Sequence, residues 1–472
     1  MLTYPLPLPG KSLSQSLYAC IREDILSGRL SAGEKLPSKR ALAEHLQVSK
    51  TTVENAYYQL TAEGYVCSAA KRGYFVEQVE RRLPRSAPVP VRKAEILPPA
   101  LTDLSRGSAV PGLFPFSVWA KLGRRVLSDR QEALLEPVPF QGTGALRLAI
   151  ARYLGEERGL SIDPENMVIG AGSEYLYGLL VRFFGPELRY GVEDPGFPKI
   201  RKIYRANSAQ CVPIPLDGKG VRMSSLEEAA VQVLHITPSH SYPSGQVTPL
   251  QRRQELLAWA EEGPGRYIIE DDYDSEFRFD TRPLPSLQGM AGADGPVVYL
   301  STCSRSLAPS IRIAYMVLPE QLLPAWHAKY ALYSGTVSRF EQQTLARFIT
   351  GGYFTRHLAR ERVAYKARRD ALTKALREAF APEELHLTGL HTGLHLLAEL
   401  RAPPPDDALR AAAEAEGVRL SLLSDYDLTG GGAALGGTLV LGYGSLPDAD
   451  CAAAGERLKK LCTAAREASD TV

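Results

Sequence analysis

After residue 100, the sequence alternates short apolar runs with longer segments of helical pattern. Four of the runs read MVIGAG, VLHITPS, RYIIEDD and PVVYLST. Runs of this length fit buried β-strands, and the helical segments between them stand where parallel strands need crossover connections. The alternation therefore predicts an α/β domain over residues 104–467, with a mostly parallel sheet and crossover helices.

The chain divides before that domain, at a segment rich in proline and arginine. Residues 77–100 read EQVERRLPRSAPVPVRKAEILPPA and show neither a helical nor an alternating apolar period. This composition favours an extended, semi-rigid linker, and a length of 472 residues also suggests more than one domain. We predict a small domain over residues 12–79, a linker over 80–103 and the large domain over 104–467. The basic residues of the linker could touch nucleic acid, although a solvated tether is the simpler interpretation.

The composition argues against several classes of protein. Hydrophobic residues make up 44% of the chain and charged residues 23%, as in soluble globular proteins, and no apolar run approaches the length of a membrane span. The N-terminus MLTYPLPLPG is broken by prolines and does not resemble a secretion signal. The six cysteines are scattered, without a CxxC pair or clustered histidines, so we expect neither a disulfide framework nor a metal site. These features predict a cytoplasmic protein.

The small domain shows three helical segments followed by a hairpin. The first, LYACIREDILSG, stops at Gly28, and the next two begin at Ser38 and Ser49, which suit N-terminal caps. The second and third segments are joined by the tight turn LQV, which predicts a helix-turn-helix whose second helix enters the major groove of DNA. Residues 1–95 also carry 14 basic against 9 acidic side chains, a surplus that suits a polyanionic partner.

Two places in this domain carry groups suited to DNA. Ser49, Lys50 and Thr51 stand at the start of the third helix, where hydroxyls, a lysine and free backbone N–H groups suit phosphates and base edges. Lys71 and Arg72 lie at the tip of the hairpin YVCSAAKRGYFVEQ, a wing that could reach the minor groove. A single lysine of this kind is more often a solvated surface charge. The prediction of double-stranded DNA as a partner therefore depends on the three helical segments and the hairpin taken together, in this order.

These helical segments and the hairpin, in this order, resemble the winged helix-turn-helix of GntR-type regulators. The resemblance extends along the stretch LYACIREDILSGRLSAGEKLPSKRALAEHLQVSKTTVENAYYQLTAEGYV. The resemblance implies DNA contacts by Arg40, Lys50 and Thr51, and wing contacts by Lys71 and Arg72. Some relatives carry a basic residue where this chain has Glu54, so their base preference is not transferred to this chain.

Several turns of the large domain carry groups that suit a flat, phosphate-bearing ligand. AGSEY (171–175) puts small residues at a strand-to-helix turn, where backbone N–H groups can hold a phosphate. Phe197, on the turn EDPGFP, could stack on a flat ring or could be a core side chain. RYIIEDDYDSEF ends a buried strand with successive carboxylates, which need a partner such as a protonated ring nitrogen. STCSRSLAPSIR (301–312) supplies hydroxyls and arginines for an anion.

Together these turns resemble the fold-type I aminotransferase domain, and with the N-terminal domain they resemble the MocR subfamily of GntR regulators. The motifs that carry this resemblance are EDPGFP, TPSHSYPSG, IEDDYDSEF, SLAPSIRIAYMVLP and HLARERVAYKARRDAL. The resemblance implies a sensor domain that binds pyridoxal 5′-phosphate or its aminated form. Asp271 would pair with the pyridine nitrogen, Tyr273 would hydrogen-bond the ring hydroxyl, and Phe197 would stack on the ring. The phosphate would be held by Gly172, Ser173, Thr302, Ser304 and Arg312.

One position departs from that family in a way that bears on chemistry. The family has a lysine that forms a Schiff base with the cofactor, and this chain has Arg305 in that place, within the segment SRSL. A guanidinium stays protonated and cannot act as the amine nucleophile, although it can form a bidentate pair with a carboxylate such as that of Asp271. Gly437 and Thr438 stand where many relatives carry a substrate-binding arginine, and Lys199 stands where some carry a second one.

These observations predict a DNA-binding transcriptional regulator that senses a small-molecule effector, binds a pyridoxal-phosphate-type ligand non-covalently and does not transaminate. The resemblance also implies a homodimer whose DNA-binding arms are exchanged between subunits, and the linker is long enough to cross over. Two alternatives stay open: an active aminotransferase that uses Lys199 or Lys202, and a dimerisation platform without a ligand. The phosphate pattern of Thr302, Ser304 and Arg312 counts against the second alternative.

Overall fold

The structure of the chain is a computed structural model. It describes residues 2–6, 12–79, 102–105, 112–129, 132–280, 284–430, 435–444 and 446–469. The chain forms two compact units, one over Met1–Leu97 and the other over Pro98–Val472. Residues 80–101 of the predicted linker lie outside the described residues. The last two residues of that predicted linker, Thr102 and Asp103, form a short strand of the large unit.

The N-terminal unit consists of three helices and a two-stranded antiparallel hairpin. The helices are α1 (Leu13–Ser27), α2 (Lys39–Leu46) and α3 (Lys50–Ala62), and the strands are β1 (Val66–Ala69) and β2 (Gly73–Val76). The predicted caps are confirmed. Ser38 and Ser49 each accept a hydrogen bond from a backbone N–H in the first turn, at 3.2 and 3.1 Å, and Gly28 ends α1 with a left-handed φ of 79°.

One apolar core joins these helices to the hairpin. Leu17, Ile21 and Leu60 are fully buried in it. Tyr74 of the hairpin packs against Tyr57 of α3, with ring centroids 5.0 Å apart. Tyr57 is fully buried, so its contact with Tyr74 is part of the apolar burial that stabilises the hairpin against α3. The winged helix-turn-helix that the sequence predicted is therefore formed.

The large unit alternates helices and strands along the chain, as predicted. Its strands are β3 (Thr102–Asp103), β4 (Met167–Gly170), β5 (Arg189–Asp194), β6 (Gln210–Asp217), β7 (Gly220–Val221), β8 (Val233–Ile236), β9 (Tyr267–Asp271), β10 (Val297–Thr302), β11 (Ala314–Val317), β12 (Leu385–Thr388), β13 (His395–Leu400), β14 (Val418–Arg419) and β15 (Thr438–Gly442). Its helices are α4 (Phe116–Asp129), α5 (Gly144–Arg158), α6 (Ser173–Phe184), α7 (Pro198–Ala206), α8 (Met223–Glu228), α9 (Leu250–Glu262), α10 (Leu287–Ala291), α11 (Cys303–Ser306), α12 (Leu323–Tyr330), α13 (Arg339–Thr350), α14 (Tyr353–Ala379), α15 (Asp406–Ala415) and α16 (Asp448–Ser469).

Eight of these strands form the main sheet, in the order β4-β11-β10-β9-β8-β5-β6-β7. The run from β10 through β9, β8 and β5 to β6 is parallel, whereas β11 and β7 pair antiparallel with their neighbours. The mostly parallel sheet is therefore confirmed, and the four apolar runs that predicted it are β4, β8, β9 and β10. The carboxyl ends of the parallel strands share one edge, where open α/β sheets bind ligands.

Alternate side chains of the central strands enter two different apolar cores. On β10, Tyr299 packs in one core, whereas Val298 and Leu300 pack in the other. Ile169 and Val168 of β4 divide between the two cores in the same way. A sheet buried on both faces explains why these strands read as continuous apolar runs instead of polar and apolar residues in alternation.

The C-terminal part of the unit adds a smaller antiparallel sheet, in the order β12-β13-β15. The long helices α14 and α16 approach closely at Gly455, where a Cβ atom would collide with the carbonyl oxygen of Ala375. Glycine is therefore required at that crossing. The short strand β3 pairs in parallel with β14, Thr102 opposite Val418, so the first strand of the unit is joined to its C-terminal part.

Candidate functional site

The predicted ligand-binding residues meet at the carboxyl-end edge of the main sheet, around a cavity of about 280 Å³. Asp271 ends β9, Thr302 ends β10, and Ser173 begins α6 shortly after β4. The cavity is lined by Ser173, Glu174, Tyr177, Phe197, Lys199, Ile200, Thr237, Tyr242, Asp271, Tyr273, Thr302, Ser304, Arg305, Pro309 and Arg312. Of the ligand-binding residues predicted from the sequence, Gly172 alone is outside this lining, and it directly precedes Ser173.

Asp271 is almost fully buried in the cavity wall. Its Oδ2 accepts a hydrogen bond from the Tyr177 hydroxyl and lies 3.4 Å from His235 Nε2, while its Oδ1 is buried without a hydrogen-bond partner. A buried carboxylate oxygen without a partner is destabilising, and a protonated ring nitrogen would supply the missing donor. The bidentate pair between Arg305 and Asp271 that the sequence suggested is not formed, because such a pair would use both carboxylate oxygens.

Three buried side chains that were not predicted from the sequence support Asp271. The Tyr204 hydroxyl lies 2.6 Å from His235 Nδ1, so Tyr204, His235 and Asp271 form a chain of polar contacts through the core. Burial, and then the Asp271 charge, raises the pKa of Tyr177 well above its usual value, so its hydroxyl stays a donor. A signal for His235 exists in the sequence, since it is the polar side chain inside the apolar run VLHITPS.

Tyr273 lines the cavity with its hydroxyl directed at His240. Tyr273 Oη lies 3.1 Å from the carbonyl oxygen of His240 and 3.2 Å from its Nδ1, and His240 Nδ1 lies 2.8 Å from Asp274 Oδ2. Burial raises the pKa of Tyr273 well above its usual value, with a smaller contribution from Asp274. A neutral phenol that donates its proton to the His240 carbonyl can still accept a hydrogen bond from a ligand hydroxyl.

The two interpretations of Phe197 are resolved by its exposure. The side chain is 39% exposed and lines the cavity, and its ring stands edge to face with Tyr242 at 5.4 Å. A core phenylalanine would be enclosed on all sides. The ring of Phe197 is therefore open to a flat ligand, and aromatic side chains of this kind are common in ligand pockets.

The groups predicted to hold a phosphate lie around the starts of α6 and α11. Gly172 and Arg312 approach so closely that a Cβ atom on Gly172 would collide with the Arg312 guanidinium, and the φ of 91° at Gly172 also favours glycine. Thr302 Oγ1 accepts a hydrogen bond from Ser304 N–H at 3.2 Å. The guanidinium therefore lies over the backbone at the start of α6, where free N–H groups favour an anion.

A carboxylate that was not predicted lies among these cations. Glu174 Oε2 is 3.6 Å from Arg312 Nη2, and Glu174 Oε1 contacts the Lys199 ammonium. The hydrogen bond from Lys199 lowers the pKa of Glu174, against a smaller opposing effect of burial. We call Ser173, Glu174, Lys199 and Arg312 the anion end of the cavity. Lys199 is the one lysine in the described lining.

Arg305 lies in the four-residue helix α11 and is half-buried in the cavity wall. Its charge acts on Tyr242 and Tyr273, where it opposes part of the rise in pKa that burial causes. It also helps to lower the pKa of His395, after the larger effects of burial and His240. Arg305 thus places a permanently charged guanidinium, which is not an amine nucleophile, in the cavity wall.

The residues predicted to contact DNA are exposed on the N-terminal unit. They are Arg40, Ser49, Lys50, Thr51, Lys71 and Arg72. Asn55 and Tyr58 are also exposed on α3, Tyr58 to 77%, and were not predicted. Glu54 lies 3.5 Å from Lys50 and 3.7 Å from Lys39, so its carboxylate offsets part of the positive charge at the start of α3.

Two further kinds of feature are absent from the described ranges. No helix in that part of the chain is both long and apolar enough to cross a membrane. Nor, for the same described residues, are three His, Cys, Asp or Glu side chains grouped so that they could hold a metal ion.

Comparison with known proteins assigns the two parts of the chain. Residues 13–76 match the model for bacterial regulatory proteins of the gntR family, and residues 106–426 match that for aminotransferase class I and II. The chain is 32% identical to the probable rhizopine catabolism regulatory protein MocR of Rhizobium meliloti, over 87% of this chain and 86% of that protein. The chain belongs to the MocR-type GntR regulators.

Other relatives agree with this assignment. The MocR-type chain is 38% identical to the uncharacterized HTH-type transcriptional regulator YdeL of Bacillus subtilis, over 86% of this chain and 88% of that protein. It is 31% identical to the HTH-type pyridoxine biosynthesis transcriptional regulator PdxR of Corynebacterium glutamicum, with 93% of each chain covered.

Solved structures bear on the large unit. The MocR-type chain resembles the alpha-aminoadipate aminotransferase LysN of Thermus thermophilus, complexed with N-(5′-phosphopyridoxyl)-L-leucine, with a TM-score of 0.68 and 27% identity over 77% of this chain and 92% of that one. The multiple substrate aminotransferase of Thermococcus profundus gives a TM-score of 0.68 and 25% identity, over 79% and 93% of the two chains. The predicted fold-type I aminotransferase fold is therefore confirmed.

Proposed function

We propose that this MocR-type chain is a cytoplasmic, DNA-binding transcriptional regulator whose large unit senses a small-molecule effector. The large unit binds a pyridoxal-phosphate-type ligand non-covalently and does not transaminate. One observation supports this mode of ligand binding: the same cavity wall contains Asp271 Oδ1, which has no hydrogen-bond partner, and Arg305. The first suits a protonated ring nitrogen, and the second cannot supply the amine of a Schiff base.

The residues of the cavity fit such a ligand at several points. Asp271 Oδ1 would accept a hydrogen bond from the ring nitrogen, Phe197 would cover one face of the ring, and Tyr273 would accept a hydrogen bond from the ring hydroxyl. Arg312 would pair with the phosphate, together with the hydroxyls of the anion end and of α11. When bound, pyridoxal phosphate supplies an electrophilic aldehyde that condenses with primary amines. Arg305 keeps its proton, and would bind an anionic group of the ligand without condensing.

DNA binding would belong to the N-terminal unit. The exposed start of α3, with Ser49, Lys50 and Thr51, would enter the major groove, and the hairpin tip would reach the neighbouring groove. A gel shift with DNA from upstream of the gene should show a specific complex. An aminotransferase without a regulatory role would give no such complex.

The regulator would act as a homodimer with exchanged DNA-binding arms, since a two-fold protein suits repeated half-sites. Large apolar side chains are exposed on the large unit, at Phe116, Leu135, Leu332, Tyr333 and Phe340. The segments that carry Leu135 and Tyr333 are joined by a hydrogen bond from Gly335 N–H to the Val138 carbonyl oxygen at 3.0 Å. Exposed apolar side chains on adjacent segments support contact with a second copy. Light scattering at micromolar concentration should give a dimer, and a result of monomer alone would contradict this part.

Calorimetry separates a sensor from a dimerisation platform. Titration with pyridoxal phosphate, and separately with its aminated form, should show saturable binding to the wild type. Arg312→Ala should weaken that binding, because the phosphate loses its guanidinium partner. A wild type that binds neither form would favour a platform without a ligand.

The aminotransferase alternative needs another lysine. Lys202 is not in the cavity lining. Lys199 is, but its ammonium contacts Glu174, which also pairs with Arg312, so it is engaged at the anion end. If Lys199 nevertheless served as the nucleophile, Lys199→Ala would abolish both transaminase activity and any Schiff-base absorbance.

A further inference from the structure

The anion end of the cavity contains a carboxylate that the proposed function does not use. Glu174 bridges the two cations there, with Oε2 at 3.6 Å from Arg312 Nη2 and Oε1 in contact with the Lys199 ammonium. All three side chains are partly exposed, to 39% for Glu174, 50% for Lys199 and 45% for Arg312. They are therefore accessible from the cavity. Each oxygen of Glu174 therefore faces a cation that a phosphate would also use.

An anion that enters the cavity would act on the two partners of this contact in opposite ways. The Arg312 guanidinium lies against the backbone at Gly172, just before α6, and would attract the anion. Glu174 is the second residue of α6, and its carboxylate is joined to that helix by a flexible side chain. An entering anion would repel the Glu174 carboxylate and attract the Arg312 guanidinium, so Glu174 is the group that it would displace.

The charges make this displacement selective. Glu174 is held ionised by the hydrogen bond from Lys199, which lowers its pKa. A ligand that brings one carboxylate would only exchange one monoanion for another. A phosphate monoester brings close to two negative charges and three acceptor oxygens, so it gains more from the two cations, although it meets the nearby charge of the displaced Glu174.

We propose that Glu174 is a displaceable internal anion. It pairs with Lys199 and Arg312 until a phosphate-bearing ligand replaces it, and it thereby weakens phosphate binding while favouring dianions over monoanions. This inference rests on the proposed function, because it concerns the phosphate end of the same ligand site. It assigns to Glu174 a role in tuning affinity that a purely structural ion pair would not have.

The test removes the charge of Glu174 and keeps its shape. Glu174→Gln should bind pyridoxal 5′-phosphate at least about tenfold more tightly than the wild type, since a unit charge at contact distance in a partly solvated site is equivalent to about one decade of affinity. Binding of pyridoxal, which lacks the phosphate, should be unchanged. The matched control is Glu227→Gln, which removes another carboxylate paired with an arginine, Arg266 at 2.8 Å, outside the cavity lining.

Calorimetry with three probes, pyridoxal phosphate, pyridoxal and inorganic phosphate, distinguishes the outcomes. If Glu174→Gln also binds inorganic phosphate more tightly than the wild type does, the anion end recognises the phosphate group itself. If only pyridoxal phosphate is bound more tightly, the anion end recognises a phosphate ester. Both results support the displacement of Glu174. Equal affinities of wild type and Glu174→Gln would overturn this inference and leave the proposed function standing.

Two further outcomes would also overturn the inference. Weaker binding of pyridoxal phosphate by Glu174→Gln than by the wild type would show that Glu174 helps to hold the ligand. An equal rise in the affinity for pyridoxal, which has no phosphate, would show that Glu174 acts elsewhere than at the phosphate. If no variant, including Glu174→Ala and Glu174→Gln, bound any probe while thermal unfolding showed the chain folded, the proposed ligand site would fail together with the inference.

Discussion

Two regions of the chain present cations suited to phosphate groups, and they do so in different surroundings. On the N-terminal unit, Lys50, Lys71 and Arg72 are exposed to solvent. In the cavity of the large unit, Arg312 is partly enclosed and Asp271 is buried. Water and salt screen exposed charges, so each contributes little and the surface acts through their sum. Buried polar groups act individually, and the loss of one of them has a large effect.

The largest effect should come from the most buried group of the cavity. Asp271→Asn keeps the shape of the side chain but removes the charge that would pair with a protonated ring nitrogen. We expect the affinity for pyridoxal phosphate to fall by about 10- to 100-fold, since a hydrogen bond to a charged group contributes about 1.5–3 kcal/mol. Calorimetry at low and at high salt should give the same loss. An unchanged affinity would show that Asp271 does not bind the ring.

A second buried acid should make the stability of the large unit depend on pH. Glu193 Oε2 accepts hydrogen bonds from Thr237 N–H at 3.1 Å and from its hydroxyl at 2.5 Å, and burial raises the pKa of Glu193 from 4.5 to about 7. Between these values, the folded protein keeps a proton that the unfolded chain has released. The free energy of unfolding should therefore fall as the pH rises through this interval, by up to about 3 kcal/mol from this group.

The variant Glu193→Gln isolates that contribution. Urea unfolding at several pH values should show a flatter profile between pH 4.5 and 7 for Glu193→Gln than for the wild type. Glu187→Gln, which changes an exposed acid after α6, should leave the profile unchanged. Parallel profiles for Glu193→Gln and wild type would mean that Glu193 is ionised in the folded protein.

On the exposed surface, a single cation should give a smaller effect that depends on salt. The Lys50 side chain is 66% exposed and lies 3.5 Å from Glu54. Lys50→Ala should weaken DNA binding by about 1–3 kcal/mol if it contacts a base edge, and by part of that if it contacts only phosphate. In gel shifts at rising salt concentration, the affinity of the variant for DNA should fall less steeply with salt than that of the wild type. If Lys50→Ala and Lys71→Ala both bound DNA like the wild type, this surface would not be the one that binds.

The smallest effect should come from an exposed cap of the N-terminal unit. Ser38 Oγ accepts the Ala41 N–H at 3.2 Å at the start of α2. Ser38→Ala should lower the free energy of unfolding of this unit by about 1 kcal/mol. Thermal unfolding of the full chain, followed by circular dichroism, measures the change, and an unaltered transition would show that water replaces the cap without loss.

Much of the fold could be predicted because its signals are local. The caps Ser38, Ser49 and Gly28 act within one helical turn, and a strand buried on both faces is apparent from a continuous apolar run. The same holds for Phe197, on the turn after β5, and for Asp271, the last residue of β9. The carboxyl ends of neighbouring parallel strands meet at one edge, which favoured a ligand site there, but the individual binding residues were implied by the family resemblance.

The contacts inside the cavity could not be predicted in the same way. The expected bidentate pair between Arg305 and Asp271 is not formed: Tyr177 and His235, from other elements, approach Oδ2, and Oδ1 has no hydrogen-bond partner. Glu174 was visible in the motif AGSEY, but its partners come from α7 and from the segment after α11. Pairings of this kind depend on tertiary packing, which no local pattern specifies.

The central claim is that the large unit binds its pyridoxal-phosphate-type ligand without a covalent bond because residue 305 is arginine. The most direct measurement adds pyridoxal phosphate to wild type and to Arg305→Lys, records the absorbance, reduces with borohydride and locates adducts by mass spectrometry. We expect neither long-wavelength Schiff-base absorbance nor an adduct at residue 305 in the wild type, and both in Arg305→Lys. A wild type that showed the absorbance, with a trapped adduct at another lysine such as Lys199, would contradict the account.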